Sequence, residues 1–224
     1  MTRPLLLDLF CGAGGSAVGY HRAGFDVIGV DIRYQSHYPF APFVHGDALD
    51  FLRDPTPWTI GDFDAIHASP PCQRYSLVQR SNGDAAQAHP DLLPVTRELL
   101  RSTGLPYVIE NVVGAPMRSP LLLCGEMFEL DVIRHRLFES DTLLMQPHHP
   151  RHRGRVSGWR HGIRYDGPYV AAYGHGGGKA DVDDCRRAMR IDWMTNRQEL
   201  IEAIPPAYTE YIGTQLLDAV RAAA

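Results

Sequence analysis

What constrains this chain most is a rhythm. Over residues 1–140 short apolar runs alternate with stretches of helical spacing, and most of the apolar runs end at Gly, Asp or Pro. Leu5–Leu9 enters a glycine-rich turn, and Ser16–Ala23 then reads as a helix stopped by Gly24. Asp26–Val30 ends at Asp31. Phe43–His45 precedes Gly46-Asp47 and a short helix through Arg53, and Phe63–Ala68 runs into Ser69-Pro70-Pro71-Cys72. Leu92–Ser102 reads as a helix closed by Gly104, followed by a strand at Tyr107–Ile109. Leu121–Leu123 and Leu137–Phe138 are weaker strands. Strands and helices in alternation predict an α/β fold, a mostly parallel sheet covered by helices on both faces. Two stretches break the rhythm. Gln73–Pro90 is polar and reads as a loop; Pro147–Gly178 is rich in His, Arg, Gly and Tyr and holds no βα unit. Helical spacing returns at Arg197–Ala203, breaks at Pro205-Pro206 and resumes over Tyr208–Ala222. The predicted organisation is one main domain, 1–140 with 193–224, carrying a small insert at 141–192.

Composition narrows the class. The 224 residues are 44% hydrophobic and 21% charged, as in an ordinary globular protein. No apolar run approaches the roughly 18 residues of a membrane span, and Asp8 interrupts the apolar start, so a buried first strand is expected rather than a signal peptide. A cytoplasmic protein without membrane contact, working as a monomer, follows as the expectation. Cys11, Cys72, Cys124 and Cys185 are scattered with no CxxC pair, which predicts reduced thiols. The net charge of −4 does not advertise a nucleic-acid partner, yet seven arginines and five histidines fall between Arg134 and Arg164 against only Glu139 and Asp141. Lys179 is the sole lysine, so codon bias explains the choice of Arg but not the clustering. The cluster, with Arg151, Arg153 and Arg155 at its centre, is read as a phosphate-contacting surface. A zinc site from His148, His149, His152 and Cys124 or Cys185 matches no CxxC or HxxxH spacing, so no metal is expected. Gly174-His175-Gly176-Gly177-Gly178-Lys179 lacks the strand before it that a phosphate loop needs, and is read as a hairpin or DNA-facing loop.

Chemistry concentrates where strands end. Asp8-Leu9-Phe10-Cys11-Gly12-Ala13-Gly14-Gly15 places glycines at a strand-to-helix turn, where backbone can approach a ligand and a helix N-terminus offers free N–H groups. No lysine follows, which excludes a P-loop. Asp31 stands where nucleoside-binding folds put a carboxylate for the ribose hydroxyls, and Asp47 ends the next strand similarly; either could instead be a loop cap. Ser69-Pro70-Pro71-Cys72-Gln73 is far more specific. Two prolines after an apolar strand fix the backbone and hold Cys72 at the sheet's C-terminal edge, beside a polar loop, where a nucleophile is expected rather than an inert buried thiol. Glu110-Asn111-Val112 closes the fifth strand at that same edge, giving an acid beside the nucleophile.

DLFCGAGG, SPPCQ and ENV, in this order and spacing, resemble the DNA (cytosine-5)-methyltransferase family, and EAIPPAYTEYIGTQL within Glu202–Leu217 resembles its closing motif. Short length and the RHRLF segment are most similar to the compact forms carried by bacteriophages. The resemblance implies a Rossmann-like fold and S-adenosyl-L-methionine as methyl donor, leaving S-adenosyl-L-homocysteine. Cytosine in DNA would be the substrate, in a restriction-modification or related setting. It implies that Phe10, Gly12 and Gly14 line the methionine and adenosine, Asp31 the ribose and Asp47 the adenine amine, with Ala13, Gly15, Ile32, Ala48 and Pro70 also binding the cofactor. Cys72 would add to C6 of a flipped cytosine, Glu110 would hold N3 and the exocyclic amine, and Asn111 would brace the Cys72 loop. Arg134 and Arg136 resemble the Arg-x-Arg element that contacts base and backbone. Gln73, Arg74 and Ser76 would face DNA together with the arginines of 141–192, the reduced target-recognition region. Three departures are visible: Val132 and Ile133 stand where a glutamine is usual, Thr214 replaces an asparagine, and the target-recognition region is very short. The alternatives are a cytosine-C5 methyltransferase of RNA or single-stranded DNA, and a non-catalytic DNA-binding relative.

Overall fold

The computed structural model describes residues 2–75, 90–160, 162–174 and 180–223. Most of the polar loop after Gln73, including Ser76, and residues 175–179 of the glycine-rich run lie outside these described residues.

Seven strands make one sheet: β1 Leu5–Leu9, β2 Asp26–Asp31, β3 Phe43–His45, β4 Ala65–Ala68, β5 Tyr107–Val112, β6 Leu121–Leu123 and β7 Arg136–Ser140. Their order is β3-β2-β1-β4-β5-β7-β6. The first five are mutually parallel, and β7 enters antiparallel between β5 and β6. The β5–β7 ladder runs from Val108–Ser140 to Val112–Arg136, which is why both strands are longer than their apolar cores alone suggest. The helices are α1 Gly15–Ala23, α2 Ala48–Arg53, α3 Leu93–Thr103, α4 Val182–Met189, α5 Arg197–Glu202 and α6 Pro206–Ala223. Pro206 is the first residue of α6, where a missing N–H costs nothing, so the proline pair ends one helix and opens the next. Helix α4, which the sequence reading did not mark, is capped by Asp181, whose carboxylate accepts from Asp184 N at 2.7 Å.

Strands β1, β2, β4 and β5 are buried on both faces, and alternation sorts their side chains between two cores. Leu6, Val27, Ala65 and Val108 point to the face covered by α1, α4 and α6, meeting Tyr20, Met189, Tyr208 and Leu216. Leu7, Leu9, Ile28, Val30, Ile66 and Ile109 point to the other, against Phe51 and Leu52 of α2 and Leu93 and Leu100 of α3. Each such fully buried aliphatic contributes about 1.5–3 kcal/mol. The segment 141–192 adds a hairpin, β8 Gly158–Arg160 with β9 Ile163–Tyr165, and a satellite core of only Val156, Tyr169 and Ala171. Cys185, Ala188, Met189 and Ile191, at its far end, belong to the main core.

Register decides where chemistry can gather. Leu9 pairs with Val30 and Ala68, and Ala68 pairs with Ile109. One residue further along each strand therefore brings Phe10, Asp31, Ser69 and Glu110 to one level at the sheet's C-terminal edge.

Candidate active site

A cleft of about 630 Å³ opens at that edge. Phe10, Ala13, Gly15, Asp31, Ile32, Asp47, Ala48, Pro70, Cys72, Gln73, Glu110 and Arg136 all line it, so most of the residues singled out in the sequence meet in one place.

The turn after β1 forms one end. Phe10, Gly12 and Gly14 all take positive φ (57°, 50° and 83°), and a non-glycine residue at such φ is uncommon. A Cβ on Gly12 would meet nothing within 4 Å, so what that position requires is conformation. Gly15 differs: a Cβ there would lie 2.4 Å from the Ile204 carbonyl oxygen, so glycine is needed for close approach. Helix α1 starts at this turn with no side-chain cap and no acid in its first turn, which leaves N–H groups for an anion. Asp31 fixes the turn, its two oxygens accepting from Gly12 N at 2.9 Å and Arg33 N at 2.8 Å. It is thus a loop cap and a cleft residue at once, since a carboxylate has about four lone-pair sites. Asp47 likewise caps α2 through Oδ1, accepting from Leu49 N and Asp50 N, while bordering the cleft.

Cys72 and Glu110 form the other end. The Asn111 amide donates to Pro70 O at 3.1 Å and its oxygen accepts from Val112 N at 2.9 Å, which ties the proline turn to β5. Glu110 is buried, with Oε1 2.9 Å from Arg136 Nε, yet that oxygen has no aligned hydrogen-bond donor. Burial raises the Glu110 pKa, against Arg136, Arg134 and a hydrogen bond with Ser69. The half-buried Cys72 thiol is likewise pushed up, first by desolvation and then by Glu110; the arginines oppose. Behind Glu110 runs a buried chain that the sequence did not disclose. Tyr20 Oη lies 2.9 Å from His67 Nδ1, and His67 Nε2 lies 2.9 Å from Ser69 Oγ. Burial lowers the His67 pKa to about 3, so this imidazole is neutral.

Several expected residues sit elsewhere. Arg134 does not border the cleft: it is buried, donating to Ala172 O at 2.9 Å and Ile201 O at 2.7 Å. Arg153 pairs with Glu126 at 3.0 Å and Asp131 at 3.3 Å and lies over the Tyr169 ring, whereas Arg155 lies over Tyr165. Arg74 pairs with Asp91 at 3.8 Å, and Arg151 is exposed. Conversely, the cleft wall contributed by Asn196, Glu199, Glu202 and Ile204 was not anticipated. Trp193 Nε1 donates to Ala13 O at 2.9 Å and Arg33 pairs with Glu202 at 2.9 Å, which closes this C-terminal segment over the glycine turn. The available signal was the closing motif, which begins at Glu202.

A sheet of this order with an antiparallel β7, a glycine turn after β1 and a cleft at the strand ends defines a Rossmann-like methyltransferase fold. A methyltransferase from Entamoeba histolytica, EhMeth, superposes with a TM-score of 0.62 at 13% identity, covering 98% of this chain and 99% of that one. The S. pombe Dnmt2 methyltransferase gives 0.56 at 14% identity, covering 97% and 99%. Residues 5–115 match the family model of C-5 cytosine-specific DNA methylases. Type II methyltransferase M.XorII of Xanthomonas oryzae pv. oryzae is 35% identical over 142 residues, which is 58% of this chain and 33% of that protein. Type II methyltransferase M.AgeI of Thalassovita gelatinovora is 27% identical over 186 residues, 72% of this chain and 41% of that protein. The chain belongs to the DNA (cytosine-5)-methyltransferase family. It spans less than half the length of these two curated relatives. Among the described residues no helix is long and apolar enough to cross a membrane.

Proposed function

We propose that this protein transfers a methyl group from S-adenosyl-L-methionine to C5 of a cytosine in DNA, through a covalent bond between Cys72 and C6. The observation that carries this reading is the convergence of Cys72, Glu110 and Arg136 at one end of a cleft whose other end is the glycine turn. The donor fits the residues present. Helix α1 offers uncapped N–H groups to its carboxylate, Asp31 and Asp47 border the place for ribose and adenine, and the cleft is of small-molecule size. The donor supplies an electrophilic methyl group on sulfur.

The chain's own residues do the rest. C5 of cytosine is a weak nucleophile, and addition of the Cys72 sulfur at C6 moves an electron pair toward C5. The Glu110 carboxyl, whose hold on a proton burial strengthens, can give that proton to ring N3 as the charge develops. Its Oε1, which lacks an aligned donor, can receive the exocyclic amine. Arg136 orients Glu110 and faces the base. After methyl transfer water takes the C5 proton, its electron pair restores the C5–C6 double bond as the Cys72 thiolate departs, and Glu110 takes back the N3 proton. The base must first leave its stack, at a cost of a few kcal/mol. Residues 141–192 are read as the reduced target-recognition region, and the protein as a cytoplasmic monomer acting on DNA. Among the arginines chosen for DNA contact, Arg151 is the exposed one without an internal pairing described above, so phosphate contact is assigned to it before Arg153.

The test is mechanism-based trapping. Duplex DNA carrying 5-fluorocytosine, with donor present, should give a denaturation-resistant complex, because fluorine at C5 cannot leave as a proton. Cys72→Ser should fail to trap yet still bind the donor by calorimetry. Parallel single-stranded DNA and RNA arms decide the nucleic acid. Methylation of duplex DNA without any trapped complex would overturn the role of Cys72.

A further inference from the structure

Away from the cleft, four metal-binding side chains from three separate segments converge. Cys124 follows β6, His135 lies between Arg134 and Arg136 at the start of β7, and His149 and His152 belong to the insert. One ligand atom from each lies within 4.8 Å of every other. The thiol Sγ of Cys124 is 3.5 Å from His152 Nε2, and the Nε2 atoms of His135 and His149 are 3.2 Å apart. The three imidazole centroids are 5.1–5.4 Å from one another. Tetrahedral zinc, with Zn–N about 2.0–2.1 Å and Zn–S about 2.3 Å, sets its ligand atoms roughly 3.3–3.7 Å apart. We propose that Cys124, His135, His149 and His152 form a closed structural zinc site that fastens the insert to the catalytic sheet.

The surroundings agree with that chemistry. Nδ1 of His149 donates to Pro150 O at 2.8 Å, since a carbonyl only accepts, and this leaves its Nε2 lone pair aimed into the cluster. Cys124 is fully buried, so the site is closed to solvent on its side. Three imidazoles this close cannot all be charged. Hydrogen bonding alone would need only the two pairs, Cys124 with His152 and His135 with His149; it gives no reason for all four atoms to share one centre. One thiolate and three imidazoles in a closed set of four suit zinc, with no open position for catalysis.

The site also meets a need. The far end of the insert is anchored by burial in the main core, but its middle has, among the described residues, only the small cluster of Val156, Tyr169 and Ala171, and small units of this kind use metals as staples. Because His135 adjoins Arg136, the staple would fix the insert and the Glu110 partner together. The sequence concealed this: the cluster uses His135 rather than His148, and its ligands are far apart in the chain. The expectation of no metal is replaced by this proposal, which does not depend on the methyl-transfer reading.

The full chain, produced without a histidine tag under reducing conditions with zinc supplied, should carry about one zinc per chain by plasma mass spectrometry after gel filtration. Zinc-edge absorption of that protein should fit one sulfur and three nitrogen scatterers, a measurement that needs no variant. Cobalt exchanged for zinc should show a thiolate charge-transfer band and tetrahedral d–d bands. Cys124→Ser and His149→Ala should lose the metal, whereas Cys185→Ser and His148→Ala keep it. Absence of stoichiometric zinc together with no cobalt spectrum would overturn the site. So would sulfur-free coordination, or full retention of zinc in Cys124→Ser.

Discussion

At Cys72, burial, one carboxylate and two arginines compete over a single proton. Desolvation and Glu110 together outweigh Arg136 and Arg134, so the free protein holds a thiol above its ordinary range rather than a standing thiolate. Iodoacetamide alkylation of Cys72 in the donor-free protein should accordingly titrate with a midpoint above that of an exposed cysteine. Glu110→Gln should lower that midpoint, because it removes the negative neighbour, and Arg136→Ala should raise it. A midpoint unmoved by Glu110→Gln would mean that the two groups do not share an electrostatic site. Asp8 poses the opposite question, since it lies outside the cleft. Burial pushes its carboxyl up to about 7; a hydrogen bond from Ser16 Oγ at 2.8 Å opposes and the Asp31 charge adds. The folded chain therefore binds a proton that the unfolded chain has released, and stability falls as pH rises from about 4 through 7, by a total on the order of 4 kcal/mol. Asp8→Asn has no such proton. Its stability advantage over the native chain should grow by about 2–3 kcal/mol between pH 5 and pH 8 in urea denaturation. A constant difference would remove Asp8 as the source.

Helices α1 and α6 carry the largest burden among the elements, because together they seat the glycine turn. Their approach is close enough to forbid side chains. A Cβ on Gly19 would lie 2.0 Å from Thr209 Oγ1 and 2.2 Å from Pro206 O, and one on Gly213 would lie 2.7 Å from Ala23 Cβ. Thr209 Oγ1 also donates to Ser16 O at 2.9 Å, which fixes the height of α1 against α6. Gly19→Ala should therefore cost about 1–3 kcal/mol or more through overpacking. The same change at Gly61, whose nearest neighbour would be 3.9 Å away, should stay within about 0.5 kcal/mol. Equal midpoints for the two variants in chemical denaturation would contradict the packing seen here. The same helix pair gives Thr214 its context: its hydroxyl bonds back to Glu210 O at 2.9 Å on the exposed side of α6. The departure from asparagine there leaves the α1 contact, made by Gly213, untouched.

At the scale of the whole molecule, the proposed function requires a small insert to meet a polyanion at a net charge of −4. The arginines of the insert divide by what they touch. Arg153 is tied to Glu126, Asp131 and Tyr169, all part of the scaffold joining insert to sheet. Arg151 is exposed, and the hairpin tip presents Trp159 and Ile163, each 56% exposed. Arg151→Ala should weaken DNA binding and lower the salt slope by about one unit with thermal stability unchanged. Arg153→Ala should lower stability first. Fluorescence anisotropy at several salt concentrations, beside thermal melts, separates these outcomes; the reverse pattern would show that the insert faces DNA with its other side.

Which parts of this were legible in the sequence follows from how far each signal reaches along the chain. The βα rhythm, the glycine turn, the Ser69–Cys72 turn and Glu110 are runs of neighbouring residues, and neighbours fix strand period, positive φ and proline rigidity by themselves. A strand's end is therefore readable, and so is the sheet edge where Cys72 and Glu110 belong. Helix α4 was not, although Cys185, Ala188 and Met189 keep helical spacing, because it is only eight residues long and half of them are charged. Arg134 and Arg136 look alike in sequence. Only the packing of Ala172 and Ile201 around the first, and of Glu110 beside the second, turns one into a buried backbone staple and the other into a cleft residue. The buried chain from Tyr20 through His67 to Ser69, the closure of Glu202 and Ile204 over the glycine turn, and the meeting of Cys124 with His135, His149 and His152 have the same origin. Each depends on residues brought together by folding across long loops, and such contacts leave no local pattern for the sequence to display.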